Sequence, residues 1–202
     1  VDLIQSVDSP ELLAMIEKYR LTTFCAPPTI YRFMIQEDLS KYDLSSLTWA
    51  VVAGEALNPE VFEKFKAMTG LELHEGFGQT ETTLSAATYP WMEPKPGSMG
   101  KPSPTYDMEL VNDQGQPVEV GEVGEIVIHT DKQRPVGLFM GYYRDPNRTA
   151  QVWHDGTYHT GDVAWKDEEG AYQVDLVGDD LGYLIGRRGE TLDAIQHLCN
   201  YA

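Results

Sequence analysis

The 202-residue chain carries a formal net charge of −17 and is 42% hydrophobic. That size makes one large or two small domains with a buried core. The charge argues against nucleic acid or an anionic membrane as the partner of the whole surface, and no run is apolar enough to span a bilayer. Along the chain, Ser9-Pro10-Glu11 reads as a helix start, with a capping hydroxyl, proline in the first turn and then an acid. Leu12, Leu13, Ile16 and Tyr19 follow at helical spacing. Thr22 to Ala26 is a predicted strand ended by Pro27-Pro28, and Thr29 to Gln36 a predicted helix. The apolar run Leu47 to Ala53 suits a buried parallel strand. Asn58-Pro59-Glu60 opens a further helix carried by Val61, Phe62, Phe65 and Met68 and closed by Gly70. Strands alternating with helices predict a parallel α/β sheet, whose ligands sit at the carboxyl ends of the strands. After about residue 95 glycine punctuates short strands instead. Asp107 to Val111 and Glu125 to His129 are predicted strands joined by the turn residues 113–117, so a β-rich subdomain is expected over 96–172.

The segment Glu75-Gly76-Phe77-Gly78-Gln79-Thr80-Glu81-Thr82-Thr83 carries the chemistry. Read alone, it is a glycine-punctuated loop. Gly76 and Gly78 would let the backbone turn sharply and approach a ligand closely. Thr80, Thr82 and Thr83 offer donors to phosphate oxygens, and Glu81 offers a hard oxygen to Mg²⁺. Phe77 is an aromatic plate for a flat base. These are the parts needed to grip a magnesium nucleotide; the alternative is a polar turn between a strand and a helix.

Three ordered segments resemble the adenylate-forming superfamily of acyl-CoA synthetases, luciferases and peptide-synthetase adenylation domains. They are Gly54-Glu55-Ala56-Leu57, the segment around Phe77, and Tyr158-His159-Thr160-Gly161-Asp162, with wording most similar to the medium-chain acyl-CoA synthetases, including Gly97-Ser98-Met99-Gly100-Lys101-Pro102. The resemblance spans residues 1–172, with 1–95 as the α/β part of an AMP-binding domain. It implies that Gly54, Glu55 and Ala56 lie along an adenine on which Phe77, beside Gly78, packs. It also implies that Thr80 contacts the α-phosphate, Glu81 holds Mg²⁺, and Asp162 bonds the ribose hydroxyls. The implied reaction joins a medium-chain or aromatic carboxylate to CoA through an acyl-adenylate, with ATP consumed and AMP released. The family's upstream phosphate loop and its C-terminal lysine domain have no counterpart in the sequence, so little ligase activity is expected of this chain alone.

Further on, Leu184-Ile185-Gly186-Arg187-Arg188-Gly189-Glu190-Thr191-Leu192 resembles the KH module of Jag-family RNA-binding proteins. Gly186, Arg187, Arg188 and Gly189 form a G-x-x-G loop of the kind that clamps a nucleic-acid backbone. A partial KH-like strand, loop and helix is expected over 173–202, with a chimeric junction near Tyr172 to Val174. Acidic neighbours outnumber the two arginines, so RNA is not expected to be a working partner. The apolar positions of this segment are instead expected to pack on the β-rich part or to pair with a second chain. His74 and His159 are expected to pack and to position backbone, not to transfer protons. Cys25 and Cys199 lie far apart, and the start Val1-Asp2-Leu3-Ile4 is not signal-like, so reduced thiols in a cytoplasmic protein are expected.

Overall fold

A computed structural model describes residues 8–173. The expected KH-like loop, including Gly186 to Gly189, lies outside the described residues. The elements run α1 (Ser9–Tyr19), β1 (Thr23–Ala26), α2 (Pro28–Met34), a 3₁₀ turn at Leu39–Lys41, β2 (Trp49–Ala53), α3 (Pro59–Thr69), β3 (Leu73–Gln79) and β4 (Thr83–Ala87). Then follow β5 (Ser98–Pro102), β6 (Asp107–Val111), β7 (Gly124–His129), α4 (Pro146–Val152), β8 (Trp153–His154), β9 (Thr157–Lys166) and β10 (Tyr172–Gln173). The strands make one sheet in the order β1-β2-β3-β4-β5-β10-β9-β7-β6, with β8 hydrogen-bonded to β9.

The first part forms as its sequence dictates. Helix α1 is capped by Asp8, whose side chain accepts from the Glu11 amide at 3.4 Å; Ser9, the expected cap, is instead buried at the first helical position. Asn58 caps α3 through the Glu60 amide at 2.8 Å, and Gly70 ends it with φ 74°. Strands β1, β2 and β3 are parallel. Leu13, Ile16, Tyr31, Val61, Phe62 and Phe65 cover one face of them, packed against Ala50, Val52 and Leu73. Burial alternates along β2, so the opposite face is only half covered.

The expected loop at Gly76 is a strand. β3 continues through Gly76, Phe77, Gly78 and Gln79, and β4 returns antiparallel beside it, with Gly76 opposite Ala87 and Gln79 opposite Thr83. Neither glycine has positive φ. Their need for no side chain is steric: a Cβ on Gly78 would lie 1.7 Å from the Thr83 carbonyl oxygen, and one on Gly76 2.7 Å from Leu84. The turn follows the glycines, at Thr80 to Thr82, and Thr83 adopts φ 60° to enter β4.

The second part is antiparallel. β6 and β7 pair as expected, β7 pairs with β9, and β10 bridges β9 and β5. A small core of Met99, Leu110, Ile126, Ala164 and Tyr172 fills one side. Helix α4 falls in a region where only strands are expected; Asp145 caps it through the Arg148 amide at 2.9 Å. Gly78→Ala is expected to cost at least about 1–3 kcal/mol by overpacking against the β4 backbone. Urea unfolding followed by circular dichroism checks this; an unchanged midpoint would show that the hairpin can open at no cost.

Candidate functional site

The carboxyl ends of β2 and β3 open onto a cleft of about 410 Å³. It is lined by Gly54, Glu55 and Ala56 after β2, by Glu75, Gly76, Phe77 and Gly78 on β3, by Gly97 and Met99, and by Gly161, Asp162 and Val163 on β9. Six residues singled out in the sequence, Gly54, Glu55, Ala56, Phe77, Gly78 and Asp162, therefore share one cavity although they span more than a hundred positions. Phe77 is partly buried against the core around Met99 and presents an apolar plate. Gly54 turns the chain away from β2 with φ 93°.

Thr80 and Glu81 stand at the hairpin tip, beyond the residues that line the cleft. The Thr80 hydroxyl makes no hydrogen bond among the described residues. Thr82 and Thr83 differ from expectation. The Thr82 hydroxyl is fully buried, accepts from the Gln79 amide at 2.9 Å and donates to the Thr83 carbonyl at 3.0 Å. The Thr83 hydroxyl faces Tyr106 at 3.3 Å, and Tyr106 also donates to the Thr82 carbonyl. Both hydroxyls are thus consumed in holding the turn, which leaves Thr80 as the threonine available to a phosphate. One oxygen of Glu81 accepts from Tyr142 at 2.9 Å. The other has no hydrogen bond among the described residues, and no group of three metal-ligating side chains forms there. A single carboxylate suits Mg²⁺, which commonly takes one or two carboxylates and completes its shell with water and substrate phosphates.

Asp162 sits where β9 bulges. Glu125 pairs with Val163 and Val127 with His159, so Thr160, Gly161 and Asp162 bow out opposite Ile126. The Thr160 hydroxyl donates to the Ile126 carbonyl at 2.7 Å and accepts from the Asp162 amide at 3.1 Å. Glu125 accepts from the Gly161 amide at 3.1 Å and lies 2.9 Å from His159 Nδ1, so His159 meets the carboxylate that holds the Gly161 backbone. His74 stacks on Trp49 at 3.8 Å, and burial holds its pKa low.

A scan of family profiles matches residues 3–143 to that of the AMP-binding enzymes. The chain belongs to the AMP-binding enzyme family. A second profile, the KH domain of KhpA/KhpB, matches residues 159–202 and begins inside β9. The chain is 40% identical over 183 residues to the mitochondrial acyl-coenzyme A synthetase ACSM3 of Mus musculus, covering 89% of itself and 32% of that protein. It is 41% identical over 176 residues to 4-hydroxybutyrate–CoA ligase 1 of Metallosphaera sedula, covering 87% of itself and 31% of that protein. Among solved structures, an anthranilate CoA ligase, AuaEII, in complex with anthranoyl-AMP superposes with a TM-score of 0.75 at 30% identity, over 82% of this chain and 31% of that one. The chain therefore spans about a third of the length of these relatives. No helix among the described residues is long and apolar enough to cross a membrane.

Four polar groups of this AMP-binding fold have no assigned role in the sequence reading: Glu75, Gln79, Tyr142 and Tyr158. Gln79 and Tyr158 stand inside two of the motifs without a role of their own, and Tyr142 carries no local signal because its partner Glu81 is 61 residues away. Glu75 is buried, and its carboxylate ties both sides of the cleft, accepting from the Leu57 amide at 3.3 Å and the Gly97 amide at 2.6 Å. Burial pushes its carboxyl up to about 7, against the pull of those donors. A carboxyl whose pKa is higher folded than unfolded binds its proton more tightly in the fold. The fold is thus favoured below the ordinary carboxylate range, and that advantage is lost as pH rises to about 7. Unfolding free energies of wild type and Glu75→Gln, compared from pH 4.5 to 7, are expected to diverge, with the wild type showing the steeper loss as pH rises. Parallel profiles would place the Glu75 carboxyl in its ordinary range.

Proposed function

We propose that this chain supplies the adenosine-binding part of an ATP-dependent acyl-CoA synthetase site that takes a medium-chain or aromatic carboxylate. The observation that carries this reading is the cleft itself, which gathers Gly54, Glu55, Ala56, Phe77, Gly78 and Asp162 from three separate stretches of the sequence. Phe77 stacks the base. The Asp162 carboxylate accepts from ribose hydroxyls, a strong charge-assisted bond. Thr80 donates to the α-phosphate. Glu81 holds Mg²⁺, which neutralises charge on the phosphates when bound. In the whole reaction a carboxylate oxygen attacks the α-phosphorus and pyrophosphate leaves. The CoA thiol then attacks the acyl carbon and AMP leaves.

The cleft also suggests what the chain does not do alone. Its lining includes three carboxyl groups, Glu55, Glu75 and Asp162, and neither lysine nor arginine. Adenylation builds negative charge that preorganised positive groups must meet. We therefore read the chain as a nucleotide-binding portion without ligase turnover of its own, joined in chimeric fashion to a KH-like segment. The succession of two family profiles supports that junction. RNA binding through Gly186 to Gly189 is the second reading, favoured by the KH profile and opposed by the net charge of −17.

Calorimetric titration with AMP and with Mg²⁺-ATP is expected to show binding that Asp162→Ala weakens roughly tenfold or more. Pyrophosphate release with octanoate, ATP and CoA is expected to stay at background. Turnover near the ordinary enzyme rate of about 10 per second would overturn the claim of inactivity, and absent nucleotide binding would overturn the adenosine site.

A further inference from the structure

We propose that Gln79 is the positioning residue for the Asp162 carboxylate, and that through it the hairpin sets the cleft's preference for a ribose bearing free hydroxyls. The inference rests on the adenosine-binding reading above. Asp162 belongs to a bulge that the β7–β9 ladder does not fix, because four steps of β9 from His159 to Val163 face two steps of β7. Support from across the cleft comes through the Gln79 amide. Its Nε2 donates to Asp162 Oδ2 at 2.6 Å and to the Thr160 carbonyl at 2.9 Å. Its Oε1 accepts from the Tyr158 hydroxyl at 2.8 Å.

This arrangement has one orientation. Tyr158 is 2% exposed, and burial with the nearby Glu81 carboxylate holds its phenol protonated, so it donates. A carboxylate and a carbonyl can only accept. The amide nitrogen must therefore face Asp162 and Thr160, which leaves the amide oxygen to accept from Tyr158; a flipped amide would set its oxygen against two groups that can only accept. With Oδ2 occupied, Oδ1 is the Asp162 oxygen without a hydrogen bond among the described residues, on a side chain that lines the cleft. A neutral donor is required at position 79. Methionine has the length without the hydrogen bonds, and glutamate would set a second anion against Asp162.

The test uses the full chain with Gln79→Met. Backbone amide exchange of Gly161 and Asp162, measured by NMR without nucleotide, is expected to quicken roughly tenfold, the worth of one charge-assisted hydrogen bond. Titration with AMP and with 2′,3′-dideoxy-AMP is expected to show a wild-type preference of about tenfold that narrows below about threefold in the variant. Unchanged exchange would overturn the positioning role. Equal weakening of both nucleotides, with the preference kept, would overturn the link to the ribose. A wild type that binds neither nucleotide would sink the adenosine reading, and with it the ribose claim, while the exchange rates still decide the positioning. If Gln79→Met does not fold, Tyr158→Phe removes only the anchor of the amide. It is expected to move exchange and preference in the same directions by less, and no movement in either would overturn the proposal.

Discussion

The candidate site depends on the close approach of two strand backbones at Gly78 and Thr83. No side chain fits between them, since a Cβ on Gly78 would stand 1.7 Å from the Thr83 carbonyl oxygen. That contact lets β3 run on past the ends of its parallel neighbour and then double back. Everything chemical on the hairpin is placed by it. Phe77 sits just before the contact and Gln79 just after it, and Thr80 and Glu81 occupy the turn that the contact forces. Burial of the Thr82 hydroxyl and the Tyr106 bonds to Thr82 and Thr83 then fix the turn from inside. A hairpin built this way is more rigid than a glycine loop, because its backbone groups are spent on strand pairing.

The chain carries a net charge of −17, and three carboxyl groups, Glu55, Glu75 and Asp162, line the cleft itself. Each carboxyl group in or beside the cleft has a neutral hydrogen-bond donor, and Glu55 takes the Thr29 hydroxyl at 2.7 Å. Glu75 takes the backbone amides of Leu57 and Gly97, Glu81 takes the Tyr142 hydroxyl, and Asp162 takes the Gln79 amide. The donors differ in kind, and so do the consequences. Backbone amides cannot move away without unfolding the loops that carry them, which makes Glu75 a structural tie between the two walls of the cleft. Side-chain donors can rearrange, so Glu81 and Asp162 are tied less rigidly than Glu75. Arg148 stacks on the Tyr142 ring at 4.3 Å and steadies the donor of Glu81.

Much of the fold was legible because its cues are local. Proline in the first turn and a short polar cap mark α1 and α3, and glycine closes α3. Helix α4 carries the same signature, Asp145-Pro146, yet is only seven residues long and lacks a buried stripe, so periodicity gave no hint of it. The hairpin departs from the expected loop for a different reason: glycines signal both turning and close packing, and only the partner strand decides between them. The residues that line the cleft were legible through three motifs. Gln79 and Tyr142 were not, because what defines them is a partner some sixty to eighty positions away. Thr82 and Thr83 were legible as hydroxyls but not as hydroxyls already in use.

The region from residue 159 to Gln173 is where two resemblances meet, because the KH profile begins inside β9. Packing assigns these residues to the sheet. Tyr172 is 4% exposed among Met99, Leu110, Ile126 and Ala164, and its hydroxyl donates to the Met108 carbonyl at 3.3 Å. β10 is two residues long, yet among the described strands it is the ladder that joins β5 to β9. It therefore connects the half of the sheet that carries Phe77 to the half that carries Asp162. Lys95 reinforces the same seam through the largely buried Asp167 and the exposed Glu169, at 3.3 and 2.7 Å, although the exposed pair contributes little by itself. Gln79 crosses it from the cleft side. A short ladder at the back and the Gln79 amide at the front thus both join the half of the sheet that carries Phe77 to the half that carries Asp162, and the residues up to Gln173 complete that sheet.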